Sequence, residues 1–347
     1  MADSASRPLR IVQMVETLAL GGLETMAVDL AIAHRQAGHD SAIFTLFEPG
    51  VLAERAQAAG VPVVAFHKKK KARLMPILQV ARQLRASHAD VVHTHNASVH
   101  PYGALGGKLS GTAVVNTRHG LALHSLPQQE EHFRKMLPYT SAVAFVCDYG
   151  RRHYEAKGVA PAEKSSVIVT GIPVEKFQAF RADPGSRRPK LRFGTIGRLV
   201  KAKAHPDLLE AFRLIAAELP DAELDIWGHG ELQPDLERGI AALGLGDRVR
   251  YRGSTPKPAE ALQAMDVFVL SSISEGLPLV ILEAMAAGLP IVSTRVGGIT
   301  EVAPEGTAAW FAEPGNPASL ANALRQAASS DLAAVGRAAY QDRKSVV

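Results

Sequence analysis

Short β-branched runs alternate with helix-length amphipathic segments along almost the whole chain, and no other feature narrows the fold so far. In the first half the runs are LRIVQMV, SAIFTLF, VPVVAF, ADVVHTH, TAVVNTR, SAVAFVC and SSVIVTG, with helical patterns such as LETMAVDLAIAHRQAG and PILQVARQLRASH between them. That alternation predicts parallel sheets with helices on both faces. Over residues 176–190 the periodicity lapses into Pro, Gly and Arg, as in a linker. A second series follows, LRFGTIG, AELDIWG, RVRYRG, DVFVLSS and PIVSTR, with helices expected at 205–218, 231–243, 278–288 and 317–329. The fold class expected is α/β, with two doubly wound, Rossmann-like domains facing across a cleft. The first domain covers residues 1–175, the linker 176–190 and the second domain 191–347. In open parallel sheets ligands bind off the carboxyl ends of the strands, so chemistry is expected just after those runs.

The chain of 347 residues is long enough for two such domains, and 47% hydrophobic with 21% charged residues is a globular balance. The single cysteine, Cys147, rules out an internal disulfide and fits a reducing cytoplasm. The start, MADSASRPLR, lacks an apolar core, so no secretory signal is expected. The longest apolar run, residues 277–292, contains a glutamate and two prolines and reads as a core helix leading into a strand. Basic residues exceed acidic ones only mildly, 39 to 34, which suits an anionic small molecule or a membrane surface better than a nucleic acid.

Within SSISEGLPLVILEAMAAGLP (271–290) stand two glutamates in otherwise almost uncharged surroundings. Glu275 lies in a glycine–proline turn that water can reach. Glu283 has apolar sequence neighbours on both sides, and a buried carboxylate needs a partner. Other candidates sit at strand ends. LALGGLE places Gly21 and Gly22 before a helix whose amides can receive an anion. TIGRLVKAKAH places Arg198 and Lys203 on one loop, where a planar fork and a point charge could clamp a diphosphate. WGHGE is a further glycine turn between strand and helix, and no GxGxxG fingerprint follows any expected strand. His93, His95 and His119 end neighbouring strands, where they either ligate a metal or, more commonly, hydrogen-bond locally or to substrate. The run Lys68, Lys69, Lys70, Lys71 and Arg73 reads as a solvated loop or as a contact with anionic lipid head groups.

Together these residues resemble the retaining glycosyltransferases of family four, which have the GT-B fold. EGLPLVILE matches the family's E-x7-E signature at Glu275 and Glu283, and GRLVKAK matches its phosphate-binding Arg and Lys. LGGLE, DVVHTH and NTRHG resemble its amino-terminal glycine loop and first-domain strand ends, and the likeness runs from about residue 9 to about residue 325. The resemblance implies transfer of a sugar from a nucleotide sugar, a UDP-sugar more than a GDP-sugar, to a hydroxyl of a glycan or lipid-linked acceptor. Anomeric configuration would be retained, and neither a metal nor a cofactor would be needed. Glu283 would hold the ribose hydroxyls and Glu275 those of the transferred sugar, helped by backbone amides near Gly276 and Leu277. Arg198 and Lys203 would stabilise the leaving diphosphate, with the positive end of the helix opening at Pro278 nearby. His119 would face the transferred sugar and acceptor, Gly21 and Gly22 would help bind the donor, and Gly22 would let the first domain close onto it. Three departures from the family stand out: Ala204 after the phosphate lysine where Gly is common, TGIP (170–173) for NG-x-D, and an ending, GRAAYQDRKSVV, shorter than the usual helix that crosses back. The competing expectations are a nucleotide-sugar-binding protein without transfer and a GT-B nucleotide-sugar epimerase. The place expected is the cytoplasm, at the inner face of the membrane if the lysine run binds lipid.

Overall fold

The computed structural model describes residues 7–69, 74–121, 127–178 and 190–342, and the chain divides into two compact units, Met1–Val169 and Thr170–Val347. Most of the expected linker, residues 179–189, lies outside the described residues, while 176–178 belong to the short helix Glu175–Gln178.

In the first unit seven parallel strands form one sheet: β1 (Arg10–Val15), β2 (Asp40–Thr45), β3 (Val63–Ala65), β4 (Val91–His95), β5 (Ala113–Arg118), β6 (Ala142–Phe145) and β7 (Ser165–Val167). Their order is β3-β2-β1-β4-β5-β6-β7. Every residue of β1 after Arg10 is buried, because helices cover both faces of a parallel sheet. Val12, Met14, Phe44, Leu84 and Val92 pack in one core cluster and Val15, Val28, Ile43 and Val61 in another.

The second unit repeats the plan with β8 (Arg192–Ile196), β9 (Glu223–Trp227), β10 (Val249–Gly253), β11 (Val267–Leu270), β12 (Ile291–Thr294) and β13 (Ala309–Ala312), in the order β10-β9-β8-β11-β12-β13. Phe193, Leu208, Phe212, Leu224 and Val269 form its core. The expected helices appear as His205–Ile215, Gln233–Ala242, Leu279–Ala286 and Pro317–Ala328. The strand β13 was not expected. Its four residues, AWFA, form an edge strand beside β12 and carry no β-branched side chain, so local pattern hides it.

In each sheet the chain leaves the first strand toward one edge and later returns to its other side, between β1 and β4 and between β8 and β11. Those are the points where loops diverge and leave room for a ligand. The helix Leu332–Asp342 packs against Leu279–Ala286 within the second unit. A Cβ on its Gly336 would come 2.3 Å from Gly288 O, so glycine permits that close approach. Among the described residues no helix is long and apolar enough to cross a membrane.

Candidate functional site

Arg198, Lys203 and Glu275 lie on the loops where the strand order of the second unit reverses. β8 ends at Ile196, and the chain runs through Gly197 and Arg198 into a single 3-10 turn, Lys201–Lys203, before the helix His205–Ile215. β11 is the neighbour of β8, and the loop after it carries Ser271 to Pro278. The two loops are stitched together: Ser271 Oγ donates to Lys203 O at 2.8 Å and Ile273 N to Ala202 O at 2.8 Å. These bonds bring together two residues seventy-two apart in sequence. Lys203 Nζ donates to Glu275 Oε1 at 2.5 Å, with the two side chains only 15% and 13% exposed. Ser272 Oγ donates to the same oxygen at 2.7 Å, a partner the sequence reading missed. Oε1 therefore accepts two bonds while Oε2 accepts none from the described residues. An ammonium has three N–H donors, so Lys203 keeps two for another acceptor.

The loop around Glu275 is braced from below. Gly298 N donates to Gly276 O at 2.7 Å, and Thr294 Oγ1 at the end of β12 donates to Ser272 O. Gly297 has φ +57°, and a Cβ there would meet Gly276 O at 2.2 Å and Glu275 O at 2.5 Å. Only glycine fits so close beneath this turn. Gly276 and Leu277 are both buried. Arg198 is exposed, and among the described residues its guanidinium makes no hydrogen bond or ion pair, unlike the ammonium of Lys203 on the same loop. Beside Lys203, His205 is buried, and burial together with the nearby ammonium pushes its pKa down to about 4.

Glu283 corrects one premise of the sequence reading. On the helix Leu279–Ala286 the residues Ile281, Leu282, Ala284, Met285 and Ala286 are buried, but Glu283 is half-buried. Its nearest apolar neighbours turn into the core, while Glu283 shares the half-buried side of the helix with Leu279 and Val280. Pro278 caps this helix in extended conformation, so the free amides begin at Leu279.

In the first unit the histidines hydrogen-bond to the protein. His93 Nε2 lies 2.7 Å from Thr117 Oγ1, His95 Nε2 2.9 Å from Gln13 Oε1, and His95 Nδ1 3.0 Å from His119 Nε2. His95 spends both ring nitrogens this way, so the three rings are not arranged to share a metal. Among the described residues no group of three or more metal-ligating side chains is set to hold an ion. Burial lowers the pKa of His93 to about 4 and of His119 to about 3, and holds His95 well below the usual value. The His119 amide donates to Asn96 Oδ1 at 3.2 Å, and Asn96 itself sits at φ +66°. Gly21 caps the helix Gly22–Gln36 at φ −171°, ordinary extended backbone, and a Cβ there would meet Glu24 Oε2 at 2.3 Å. The space beside Gly21 is thus taken by a carboxylate, which an incoming anion would have to displace.

Comparison with known proteins places this arrangement in a class. Residues 20–176 match the model of Glycosyltransferase Family 4, and residues 190–330 match that of Glycosyl transferases group 1. The amylovoran biosynthesis glycosyltransferase AmsK of Erwinia amylovora is 29% identical over 267 residues, covering 72% of this chain and 64% of that protein. The UDP-Gal:alpha-D-GlcNAc-diphosphoundecaprenol alpha-1,3-galactosyltransferase of Escherichia coli is 31% identical over 243 residues, covering 64% of this chain and 62% of that one. The chain thus spans a little under two thirds of the length of these relatives. Anabaena Alr3699/HepE, solved in complex with UDP-glucose, superposes with a TM-score of 0.85 at 20% identity, over 97% of this chain and 95% of that one. Both halves of the chain thus match glycosyltransferase models, and its fold is that of HepE.

Proposed function

We propose that the protein is a retaining, metal-independent glycosyltransferase that moves a sugar from a UDP-sugar to a hydroxyl of a glycan or lipid-linked acceptor. The observation that carries this reading is the Lys203–Glu275 pair at the β8/β11 reversal, with Arg198 uncommitted on the same loop. Support for the donor comes from UDP-glucose in HepE and from the UDP-sugar in the name of the Escherichia coli relative. The Escherichia coli relative is named for a GlcNAc-diphosphoundecaprenol acceptor and AmsK for amylovoran biosynthesis, hence the acceptor class.

Each residue has a task that follows from its chemistry. Arg198 and the two spare N–H groups of Lys203 meet the diphosphate and stabilise the charge that grows as it leaves. Fixed cations at that position do the work a divalent ion would otherwise do. Glu275 Oε2, which accepts no bond from the described residues, accepts from hydroxyls of the transferred sugar. Glu283 accepts from the vicinal ribose hydroxyls. The positive end of the helix after Pro278, with the Gly276 and Leu277 backbone, adds to the field at the phosphates. His119 contacts the sugar from the first unit, and Gly21 and Gly22 admit the donor there once Glu24 yields. In this pose Glu275 Oε2 is engaged by hydroxyls of the transferred sugar, so the carboxylate positions the sugar and does not attack its anomeric carbon. Displacement then proceeds on the face the phosphate leaves, with that phosphate accepting the acceptor's proton.

The test is transfer from labelled UDP- and GDP-sugars to lipid-linked and free saccharides, with the product's anomeric configuration read by NMR. A retained linkage from a UDP-sugar without added metal is expected. Binding without turnover would make the chain a nucleotide-sugar-binding protein, and acceptor-independent donor turnover an epimerase-like enzyme.

We also infer a peripheral contact with anionic membrane, which suits a lipid-linked acceptor and a cytoplasmic place at the inner face. Lys68 and Lys69 are described, whereas Lys70, Lys71 and Arg73 lie outside the described residues. The helix that follows, Leu74–Ala86, exposes Leu74, Met75 and Leu78 at 77%, 62% and 56%. Between Arg55 and Asp90 the sequence contains no acidic residue. Basic groups beside exposed apolar ones suit the head-group boundary of an anionic bilayer. Sedimentation with vesicles of phosphatidylglycerol and phosphatidylcholine tests it, against phosphatidylcholine alone. Equal binding to both would leave these lysines as solvated side chains.

A further inference from the structure

A line of hydrogen bonds in the first unit runs from the rim of the sheet into its centre. Gln13 on β1 and His95 on β4 are buried, at 0% and 1% exposure, and His119 follows β5. His119 Nε2 lies 3.0 Å from His95 Nδ1, His95 Nε2 2.9 Å from Gln13 Oε1, and Gln13 Nε2 3.3 Å from His34 Nδ1. Each link constrains the next. An amide oxygen only accepts and an amide nitrogen only donates, so His95 Nε2 carries the proton on that side. A neutral imidazole has one N–H, so His95 Nδ1 is bare and accepts from His119 Nε2. His119 has then spent its proton inward, and its Nδ1 is a bare acceptor with no partner among the described residues. At the other end Gln13 Nε2 donates to His34 Nδ1.

The rings are neutral for reasons visible around them. His93 stacks 4.3 Å from His95 between ring centroids, and Arg118 precedes His119, so like charge as well as burial opposes protonation. Rotating the Gln13 amide by half a turn would reverse every bond in the line and put a proton on His119 Nδ1. The one amide therefore decides whether His119 offers its ligand an acceptor or a donor.

We infer that Gln13 and His95 are positioning residues that hold His119 in its Nε2–H form, so that its Nδ1 accepts a hydrogen bond from a hydroxyl of the sugar substrate. The relay stands on the geometry above, and the choice of ligand rests on the proposed transferase reading. A hydroxyl that donates to Nδ1 is selected, and a group that can only accept is refused.

Long-range proton–nitrogen NMR of histidine-labelled protein reads the tautomers directly. In the wild type His95 and His119 should both be neutral with the proton on Nε2. A proton on His119 Nδ1 overturns the inference without any variant, which keeps the test decisive if a variant fails to fold. In Gln13→Leu the buried His95 Nε2–H loses its acceptor, so the proton moves to Nδ1 and points at His119 Nε2. His119 must then carry its proton on Nδ1. The KM for sugar donor or acceptor should rise about tenfold, the size of one lost hydrogen bond. Affinity for bare UDP should not change. His95→Gln, which can accept from His119 and donate to Gln13, should keep the tautomer and the KM. An unchanged His119 tautomer in Gln13→Leu overturns the relay, whether or not the protein is a transferase. A changed tautomer with unchanged KM overturns the sugar contact of His119 and upholds the relay.

Discussion

Glu275 and Glu283 stand one signature apart yet have different surroundings, and those surroundings assign them different tests. Glu275 is tied to Lys203 and Ser272 and presents one free oxygen. Glu283 lies half-buried on a helix of which Ile281, Leu282, Ala284, Met285 and Ala286 are core. Ribose is present in the bare nucleotide and the transferred sugar is not. Glu283→Ala should weaken UDP binding by roughly 1.5–3 kcal/mol, the range for hydrogen bonds to a charged group. Glu275→Ala should leave UDP affinity nearly unchanged and depress transfer. Calorimetric titration of UDP into both folded variants separates them, and equal losses would end this division of labour. For the phosphate clamp, Arg198→Ala and Lys203→Ala should each lower kcat by about two orders of magnitude, as lost charge stabilisation does. Lys203→Ala should also lower the melting temperature, because it strands the Glu275 carboxylate, whereas Arg198→Ala should not. Wild-type turnover in either variant removes that residue from the mechanism.

At the scale of the element, the loops owe their shape to backbone conformations that few residues tolerate. Ala204 caps the helix His205–Ile215 at φ 46° and ψ 46°, the left-handed region. Alanine there is strained by roughly 1–2 kcal/mol relative to its right-handed form. Ala204→Gly should therefore raise stability by up to about 1 kcal/mol, measured by chemical denaturation. No gain would mean that the glycine's extra freedom in the unfolded chain offsets the relief. Gly297→Ala should do the opposite, since its Cβ would drive into the Glu275 and Gly276 carbonyls. Loss of transfer should accompany the loss of stability. Gly315→Ala is the control, because it shares a positive φ of +70° but has nothing within 4 Å. If both alanines behave alike, close packing beneath the Glu275 turn is not what holds it.

Across the whole molecule, buried neutral histidines are concentrated in the first unit, and acid should find them. Burial holds His93 at about 4 and His100 and His119 at about 3, while His205, at about 4, belongs to the second unit. In the unfolded chain each takes a proton near 6.5, so below that pH the unfolded state binds more protons than the folded one. The stabilisation is complete above 6.5 and is lost as pH falls toward the folded values. Between pH 7 and pH 5 the loss is about 2 kcal/mol for each such histidine. Hydrogen exchange assigned by unit should show the first unit losing more protection than the second. Equal losses would mean that water reaches these rings.

The two doubly wound domains were legible because parallel strands buried on both faces must be continuously apolar and their connecting helices amphipathic, and both patterns are local. Glu275, Glu283, Arg198 and Lys203 were legible as candidates because charge amid apolar sequence stands out along the chain. Sequence could not show that Lys203 is already paired with Glu275, that Ser272 shares the same oxygen, or that Glu283 is only half-buried. Those depend on β8 and β11 lying side by side, and strand order is set by how whole helices pack, not by any one segment. The histidine relay was hidden for the same reason. Gln13 looks like one polar residue in the strand LRIVQMV, and only the adjacency of β1 and β4 sets its amide against His95. Side-chain alternation is written locally, whereas hydrogen-bond partners across a parallel sheet are chosen by register, which exists only once the sheet has formed.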